Sequence, residues 1–382
     1  MSRQRSKLHL FFFFFLCYGF GVEALAQQAS NTFTRNLSYE SPDSTFSFRV
    51  NPVVQNQVNV THEKGAEQLS FRNRRTRFYM SGYVFDPRFV YKVQLRFEKN
   101  DQNLYDAAFK FSPNDRFTLW LGQETLPAAR SQLVSLKYLQ FVDRSIVHAI
   151  FDLQKDVGLW VFYDQPIGQS LWTLAGALSN GEGIFRPTHS KGLSYTLRLN
   201  TRPLGAFAGN GDTRGADIQF EPSAKVPIGI AYNFNDNATA SRGQRGVAFP
   251  AGFTRDIHTV YVDGIFKLQG WSVMAEWISR SSPDKVLESS TPVFRGTGFS
   301  AQSGYMIRPT VDLALRYAVT SPRESVTQQY PKQQDITLGL SKYFAGYAFK
   351  LQGDLSYYWT SFSSSAKDQE RIQARVQISI NF

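Results

Sequence analysis

The closing stretch Arg371-Ile372-Gln373-Ala374-Arg375-Val376-Gln377-Ile378-Ser379-Ile380-Asn381-Phe382 alternates polar and apolar without a break. Ile372, Ala374, Val376, Ile378, Ile380 and Phe382 share one face; Arg371, Gln373, Arg375, Gln377, Ser379 and Asn381 share the other. A strand repeats every two residues, so this segment is one strand with an apolar side and a wet, partly basic side. Soluble sandwiches use the same pattern, so the rest of the chain has to decide. An export signal combined with a closing strand that ends on an aromatic points to a transmembrane barrel.

The first 26 residues have the form of a cleaved secretory signal. Arg3, Arg5 and Lys7 make a basic start, residues 8–20 make an apolar stretch, and Ala24-Leu25-Ala26 is a small-x-small cleavage site. The stretch is too short to cross a bilayer as a helix, which takes about 20 residues. Cys17 is the single cysteine and lies within the signal, so a mature chain starting at Gln27 has no thiol for a disulfide or a thiolate metal site. No later run is apolar for long enough to form a membrane helix. Hydrophobic residues are 42%, as expected when lipid-facing and lumen-facing positions cancel along each strand.

After a polar tail at 27–44, strand-like segments of roughly ten residues follow one another through 45–382. They read as 45–60, 69–84, 89–98, 104–112, 117–123, 155–164, 171–179, 191–200, 225–235, 256–267, 271–280, 293–307, 311–320, 335–344, 348–359 and 371–382. This is an all-β chain: an antiparallel transmembrane barrel of about 16 strands. If Phe382 ends in the periplasm, every even-to-odd connection is a periplasmic turn. Phe85-Asp86-Pro87-Arg88, Leu268-Gln269-Gly270, Arg308-Pro309-Thr310 and Ala345-Gly346-Tyr347 are short and rich in Gly or Pro. The opposite connections are generally longer, which is the asymmetry of outer-membrane barrels. The connection 201–224 breaks the rule and leaves room for a miscounted hairpin. The longest connection, the third outer loop at 124–154, carries Leu133, Leu136, Leu139, Phe141 and Val142. A loop so long and apolar folds against protein, and a barrel offers only its lumen.

Charge then matters by direction. The precursor carries +11, and removing Arg3, Arg5, Lys7 and Glu23 leaves +9. Export makes nucleic acid an improbable partner, leaving acidic lipid and small anions. With Phe89, Tyr91, Val93, Leu95 and Phe97 facing lipid, Lys92, Gln94 and Arg96 turn inward; the same logic turns Asp106, Lys110, Arg316, Lys350, Arg371 and Arg375 inward. With Phe78, Met80 and Val84 outward, Arg75 and Arg77 face the lumen, while Arg72 and Arg74 belong near the outer rim. Arg130, Lys137 and Arg144 come in on the long loop, and rim residues such as Arg242 should contribute little. Asp106, Asp312, Asp354 and Glu276 are the expected neutralisers, and the basic residues outnumber them. Rings of Arg and Lys in a narrow pore attract anions, and the guanidinium fork matches carboxylate and phosphate oxygens.

Several segments resemble the phosphate-selective porin O and P family of Gram-negative outer membranes. They are Phe71-Arg72-Asn73-Arg74-Arg75-Thr76-Arg77-Phe78; Leu119-Trp120-Leu121-Gly122-Gln123-Glu124 with Phe141-Val142-Asp143-Arg144-Ser145; and Ser179-Asn180-Gly181-Glu182-Gly183. Ala301-Gln302-Ser303-Gly304-Tyr305, Leu313-Ala314-Leu315-Arg316-Tyr317 and Thr337-Leu338-Gly339-Leu340-Ser341-Lys342-Tyr343-Phe344 follow. The resemblance implies a sixteen-stranded homotrimeric porin whose third loop folds inward, with arginine and lysine lining an anion path. Arg75, Arg77 and Arg144 carry over on their motifs. It also implies an outer-membrane location beside lipid and lipopolysaccharide, and Phe382 resembles the terminal aromatic of such barrels. The family spans members with different solutes, so phosphate is a candidate and not a deduction.

The expected function is passive diffusion of small solutes with a preference for anions. A weakly selective general or sugar porin is the alternative within transport, and a non-conducting adhesin or anchor is the alternative from another class. The expected anion pathway is Arg75, Arg77, Arg96, Lys92, Arg130, Lys137, Arg144, Arg316, Lys350 and Arg375. No cofactor is expected. His62, His148, His189 and His258 lack metal-ligand spacing, and no Ser-His pair or Gly-x-Ser-x-Gly element indicates an enzyme. Gly296-Thr297-Gly298 lacks the following helix of a dinucleotide site, and Asn210-Gly211-Asp212 is a single copy of a calcium-repeat pattern. Tyr83, Phe85, Trp120, Trp172, Trp271, Tyr343, Phe344 and Tyr347 are expected at the membrane interfaces.

Overall fold

In hydrocarbon every backbone N–H and C=O must be paired within the protein, so a sheet that crosses lipid has to close on itself. The computed structural model, which describes residues 37–98, 103–184, 192–283, 292–327, 329–363 and 368–381, closes in this way. The signal segment, residues 27–36 of the tail and Phe382 lie outside the described residues. The strands are β1 Leu37–Glu40, β2 Ser47–Glu63, β3 Ala66–Val84, β4 Asp86–Arg96, β5 Leu104–Phe111, β6 Phe117–Thr125, β7 Lys155–Ile167, β8 Ser170–Ser179, β9 Ser194–Arg202 and β10 Ile228–Ala238. A small hairpin, β11 Ala240–Arg242 and β12 Arg245–Ala248, follows. The remainder are β13 Arg255–Leu268, β14 Trp271–Ser281, β15 Gly296–Arg308, β16 Val311–Pro322, β17 Lys332–Tyr343, β18 Phe349–Ser361 and β19 Gln369–Asn381.

Of the 17 strands in the main sheet, all but β1 form a closed antiparallel ring of sixteen, each paired with its neighbours in sequence. The closing strand seals the ring: β19 pairs with β2 from Arg371↔Glu63 to Asn381↔Val53. The period of two sorts side chains between lipid and lumen. Across β17 and β18, Leu338 and Leu355 are paired and exposed on the outside. The next pair, Thr337 and Ser356, is buried inside with hydroxyls 2.9 Å apart.

The sixteen segments read from the sequence all occur as strands, with ends moved by a few residues. The tail differs: Leu37–Glu40, expected to be loose, pairs with Ser47–Val50 of β2. The first outer connection is also shorter than expected. Lys64 and Gly65, at φ 52° and 79°, form a two-residue turn with both residues in the left-handed region, the geometry that matches strand twist. The connection around 201–224 hides no extra hairpin; residues 203–227 are one long connector with two short 3-10 turns within Ala208–Thr213, joined by a kink at Gly209 and Asn210. Phe85, Trp172 and Trp271 are exposed, as membrane-interface aromatics are. Trp120 and Tyr343 instead turn inward, because their register phase is the lumen phase, and Tyr347, in the turn between β17 and β18, is buried against the protein that fills the lumen.

That protein is the third outer loop. It contains two short helices, α1 Arg130–Leu133 and α2 Ile146–Phe151, and its apolar residues form the main core. Leu126, Ala128, Ala129, Val147, Phe151 and Leu153 pack against Trp160, Tyr261, Ile278 and Ala318 of the barrel and against Phe294 of the connection before β15. Burying each large side chain contributes about 1.5–3 kcal/mol, which offsets the cost of ordering the loop. Room for it comes from lumen-facing glycines. A Cβ on Gly298 would lie 2.6 Å from the Phe151 ring and 2.8 Å from Val147; one on Gly339 would lie 2.8 Å from the Phe141 ring. The Gly296-Thr297-Gly298 stretch is therefore a seat for α2. Gly298→Val should unseat the loop at a cost of about 1–3 kcal/mol, read as a lower unfolding temperature. Gly264→Ala, whose Cβ would meet only Pro227 O at 3.5 Å, should leave it unchanged.

Candidate pore constriction

Phe71 and Phe78 are seven positions apart, an odd interval, so an uninterrupted strand would put them on opposite faces. Both are exposed on the lipid side. The conflict is resolved by a bulge: Gln55 pairs with Arg75 and Asn56 with Asn73, leaving Arg74 as the extra residue of β3. Bulges re-aim side chains, and this one reverses the phase of β3 at its middle. Arg75 and Arg77 face inward below it and Arg72 above it, where Arg72 Nε donates to Gln57 Oε1 at 2.6 Å. Arg74 points inward too. The sequence reading placed Arg72 and Arg74 near the rim because it carried one phase through the strand.

The arginines converge on a carboxylate that was not singled out, Asp143 of the long loop. Arg75 Nη2 lies 2.6 Å from Asp143 Oδ1, Arg74 Nη2 2.9 Å from the same oxygen, and Arg375 Nη1 3.3 Å from Oδ2. Arg375 also holds Asp354, with Nε 2.6 Å from Oδ1, and Asp354 Oδ2 accepts the Val142 backbone N–H at 3.1 Å. Arg316 donates to the Asp143 backbone carbonyl at 2.8 Å, stacks its guanidinium 4.7 Å above Phe141 and lies 3.7 Å from Asp335. Five guanidiniums (Arg72, Arg74, Arg75, Arg316, Arg375) thus face three carboxylates (Asp143, Asp335, Asp354), a net of +2. Burial pushes the Asp143 carboxyl up, but Arg75, Arg74 and Arg375 outweigh it and hold it well below the usual carboxylate range. The attachment it provides is therefore fully present above about pH 4 and is lost only as pH falls through the depressed value.

The other expected pathway residues divide by partner. Arg144 donates to the carbonyls of Ser131 and Val134, both at 2.6 Å, and ties the loop to itself. Lys350 is buried and donates to Leu139 O at 2.8 Å. Arg130 holds Asp263 at 2.8 Å and hydrogen-bonds Asn200, fixing α1 to the wall. Arg77 pairs with Glu98 at 2.5 Å, and both Arg77 and Arg96 lie over the Tyr105 ring. Lys92 pairs with Glu124 at 2.5 Å and Asp106 at 3.4 Å, and these acids also hold Lys155. Lys137 sits 5.2 Å from the Tyr79 and Tyr138 rings with no carboxylate at salt-bridge distance among the described residues. Of the expected neutralisers, Asp312 accepts from Gln140 and Glu276 from Ser131, so both anchor the loop.

Several of these cations keep solvent access: Arg72 is exposed, the Arg74 side chain is 33% exposed, the Lys92 side chain is 30% exposed, and Lys110, Lys137, Arg144 and Arg371 are half-buried. A narrow cleft lies beside the cluster, lined by Asp143, Arg144, Ser145, Gln302, Arg316 and Gly215. Arg242, expected to be a neutral rim position, donates to Ala149 O of the loop. Burial, then Arg144 and Arg245, keeps the His148 imidazole well below its usual value, so it stays neutral near pH 7. Among the described residues no group of His, Cys, Asp and Glu is arranged to hold a metal.

A closed barrel, an inward loop and a charged ring are the parts of a porin, and the comparisons agree. Residues 48–237 match the family described as phosphate-selective porin O and P. The chain belongs to that family. No curated protein matches it in sequence. Among solved structures the porin is similar to the outer membrane channel DcaP of Acinetobacter baumannii, with a TM-score of 0.58 at 11% identity over 90% of this chain and 99% of the other. It is similar to an anion-selective porin from Comamonas acidovorans, with a TM-score of 0.56 at 11% identity over 88% and 100%. The trimer form of OmpT from Vibrio cholerae gives 0.56 at 10% identity over 88% and 99%. At these identities the likeness is one of fold. The porin is an outer-membrane β-barrel channel of a Gram-negative bacterium.

Replacing Asp143 removes the charge that several arginines share. Asp143→Asn should weaken the loop's attachment by about 3 kcal/mol, the usual cost of breaking one side of a buried pair. Single-channel recordings should show added closing events while the barrel stays folded; quiet parent-like traces would count against a holding role for Asp143.

Proposed function

We propose that this porin passes small solutes by diffusion and prefers anions, with inorganic phosphate a candidate solute. The observation that carries the reading is the net +2 at the ring around Asp143, where Arg72 and Arg74 keep solvent access. A ring of positive charge in a narrow, low-dielectric passage raises the local concentration of anions and repels cations. Arg72 and Arg74 also present guanidinium donors that suit carboxylate and phosphate oxygens. Weak selectivity is the second reading, and the pairing of Lys92 and Lys155 with Asp106 and Glu124 favours it, since that part of the wall is charge-balanced. We further infer a homotrimer beside outer-membrane lipid and lipopolysaccharide. The fold-level likeness to a porin described in a trimer form supports the trimer.

The reversal potential of single channels under a KCl gradient tests the selectivity, and the expected sign is that of chloride preference. Arithmetic at the ring sets the mutant outcomes. Arg74→Glu takes the ring from +2 to 0 and should abolish most of the preference; combined with Arg72→Glu it reaches −2 and should reverse the sign. Arg88→Glu, at the exposed periplasmic end of β4 beside Asp86, should leave the potential unchanged. A cation-selective parent channel sinks the anion reading, and absence of conductance sinks the channel reading. Block of chloride current by low millimolar phosphate would be required to name phosphate as the solute.

A further inference from the structure

The connector 203–227 joins β9 to β10 on the periplasmic side, where its counterparts Gln269-Gly270 and Pro309-Thr310 need two residues each. It does not hang below the barrel. Ala216 is buried against Met306, Tyr343 and Tyr347. Its carbonyl accepts from Lys267 Nζ at 2.9 Å and from Tyr347 Oη at 3.2 Å. Asp217 Oδ2 accepts the Gly270 N–H at 2.8 Å, and Glu221 O accepts the Gln269 N–H at 2.8 Å, so the connector is tied to the neighbouring turn. The Asn210-Gly211-Asp212 stretch is part of this fastening: Asp212 pairs with Arg202 at 3.0 Å.

From that base the connector meets the tip of the outer loop inside the lumen. Gly215 N–H donates to Tyr138 O at 2.9 Å. A Cβ on Gly215 would lie 2.7 Å from Gln140 N and 2.8 Å from Gln140 Cβ, so the two backbones touch where only glycine fits. The Arg214 guanidinium lies 5.1 Å from the Tyr138 ring and 5.7 Å from the Tyr347 ring, bridging loop and wall. Tyr138 and Tyr347 meet edge to face at 5.0 Å. Gln140 continues to Asp312 and Gln302, and Gly215 lines the cleft beside Asp143 and Arg144.

We propose that this connector is a strut, rising from the periplasmic mouth to set the position of the constriction loop, with Arg214 and Gly215 as its positioning residues. An extracellular loop and a periplasmic connector thereby clasp within the lumen. The loop is held from above by Asp143 and from below by the strut, and the aperture depends on both. Motion of the connector from the periplasmic side would be transmitted to the loop tip over a single backbone hydrogen bond and a stacked arginine.

Two experiments on the full porin test this. The only cysteine of the precursor is Cys17 in the signal segment, so Gln140→Cys with Gly215→Cys introduces an isolated pair. Disulfides need a Cβ spacing of about 3.5–4.5 Å, so the two backbones must part by about 1 Å to admit the new side chain, which brings the pair to bonding distance. On oxidation the folded double variant should give the mobility shift of an internal cross-link, and no cross-link in folded protein overturns the contact. Deleting residues 204–223 should leave a heat-modifiable barrel with higher single-channel conductance and more closing noise. Arg214→Ala should move both readouts the same way by less, and Arg214→Lys, which keeps the charge over the rings but not the planar stacking, should recover part of the parent behaviour. If the deletion fails to fold, Arg214→Ala decides. Parent-like conductance and noise in the alanine variant overturn the strut, whatever the cross-link shows.

Discussion

Asp143 is where the loop, the two ends of the chain and the barrel wall are joined by charge. Its carboxylate takes Arg74 and Arg75 from β3, near the start of the barrel, and Arg375 from β19, at its close. A positive wall with no such acid would repel itself in a medium where water cannot screen it. The acid makes the cluster tolerable and brings the loop across the lumen to supply it. A surplus of +2 remains at the ring, and in the proposed function it is what solutes meet. Holding the loop and, on the proposed reading, biasing the passage toward anions are two consequences of one arrangement.

The basic residues fall into two kinds by what they touch. Lys350, Arg144 and Arg280 donate to backbone carbonyls of the loop; they are struts, and their charge is spent on buried acceptors. Arg72, Arg74, Lys92 and Lys137 keep a face toward water and can act on what passes. A loop of this length has many backbone groups to satisfy once it leaves water, and long basic side chains from the wall satisfy several of them. A basic lumen is therefore partly a requirement of the folded loop, before any solute is considered.

Much of this was legible in the residues. Alternation located all sixteen barrel strands, and the long apolar loop announced its place in the lumen. The inward direction of Lys92, Arg96, Arg316, Lys350 and Arg375 followed from the same period and is found in the structure. The reading failed at Arg72 and Arg74 for a physical reason that was itself in the sequence. Phe71 and Phe78 both seek lipid at an odd spacing, which requires one inserted residue. The glycines at 298 and 339 were legible as lumen-phase positions, but nothing in one strand reveals which side chain from elsewhere will occupy the space. Trp120 and Tyr343 were misplaced because the period put them inside while the habit of aromatics at strand ends was given precedence; Tyr347, in a turn, is buried by packing that no period reveals.

By itself the sequence determined the class of fold, the number of strands and the side of the wall that most strand residues occupy, because a period of two and the absence of water in lipid leave little freedom. Only the tertiary structure decided which charges oppose one another. Ion pairs such as Arg375 with Asp143 join residues 232 positions apart, and the meeting of Gly215 with Tyr138 joins opposite mouths of the barrel. Contacts of that kind depend on how a loop and a connector settle in a shared cavity, a matter of shape and packing that no local pattern encodes.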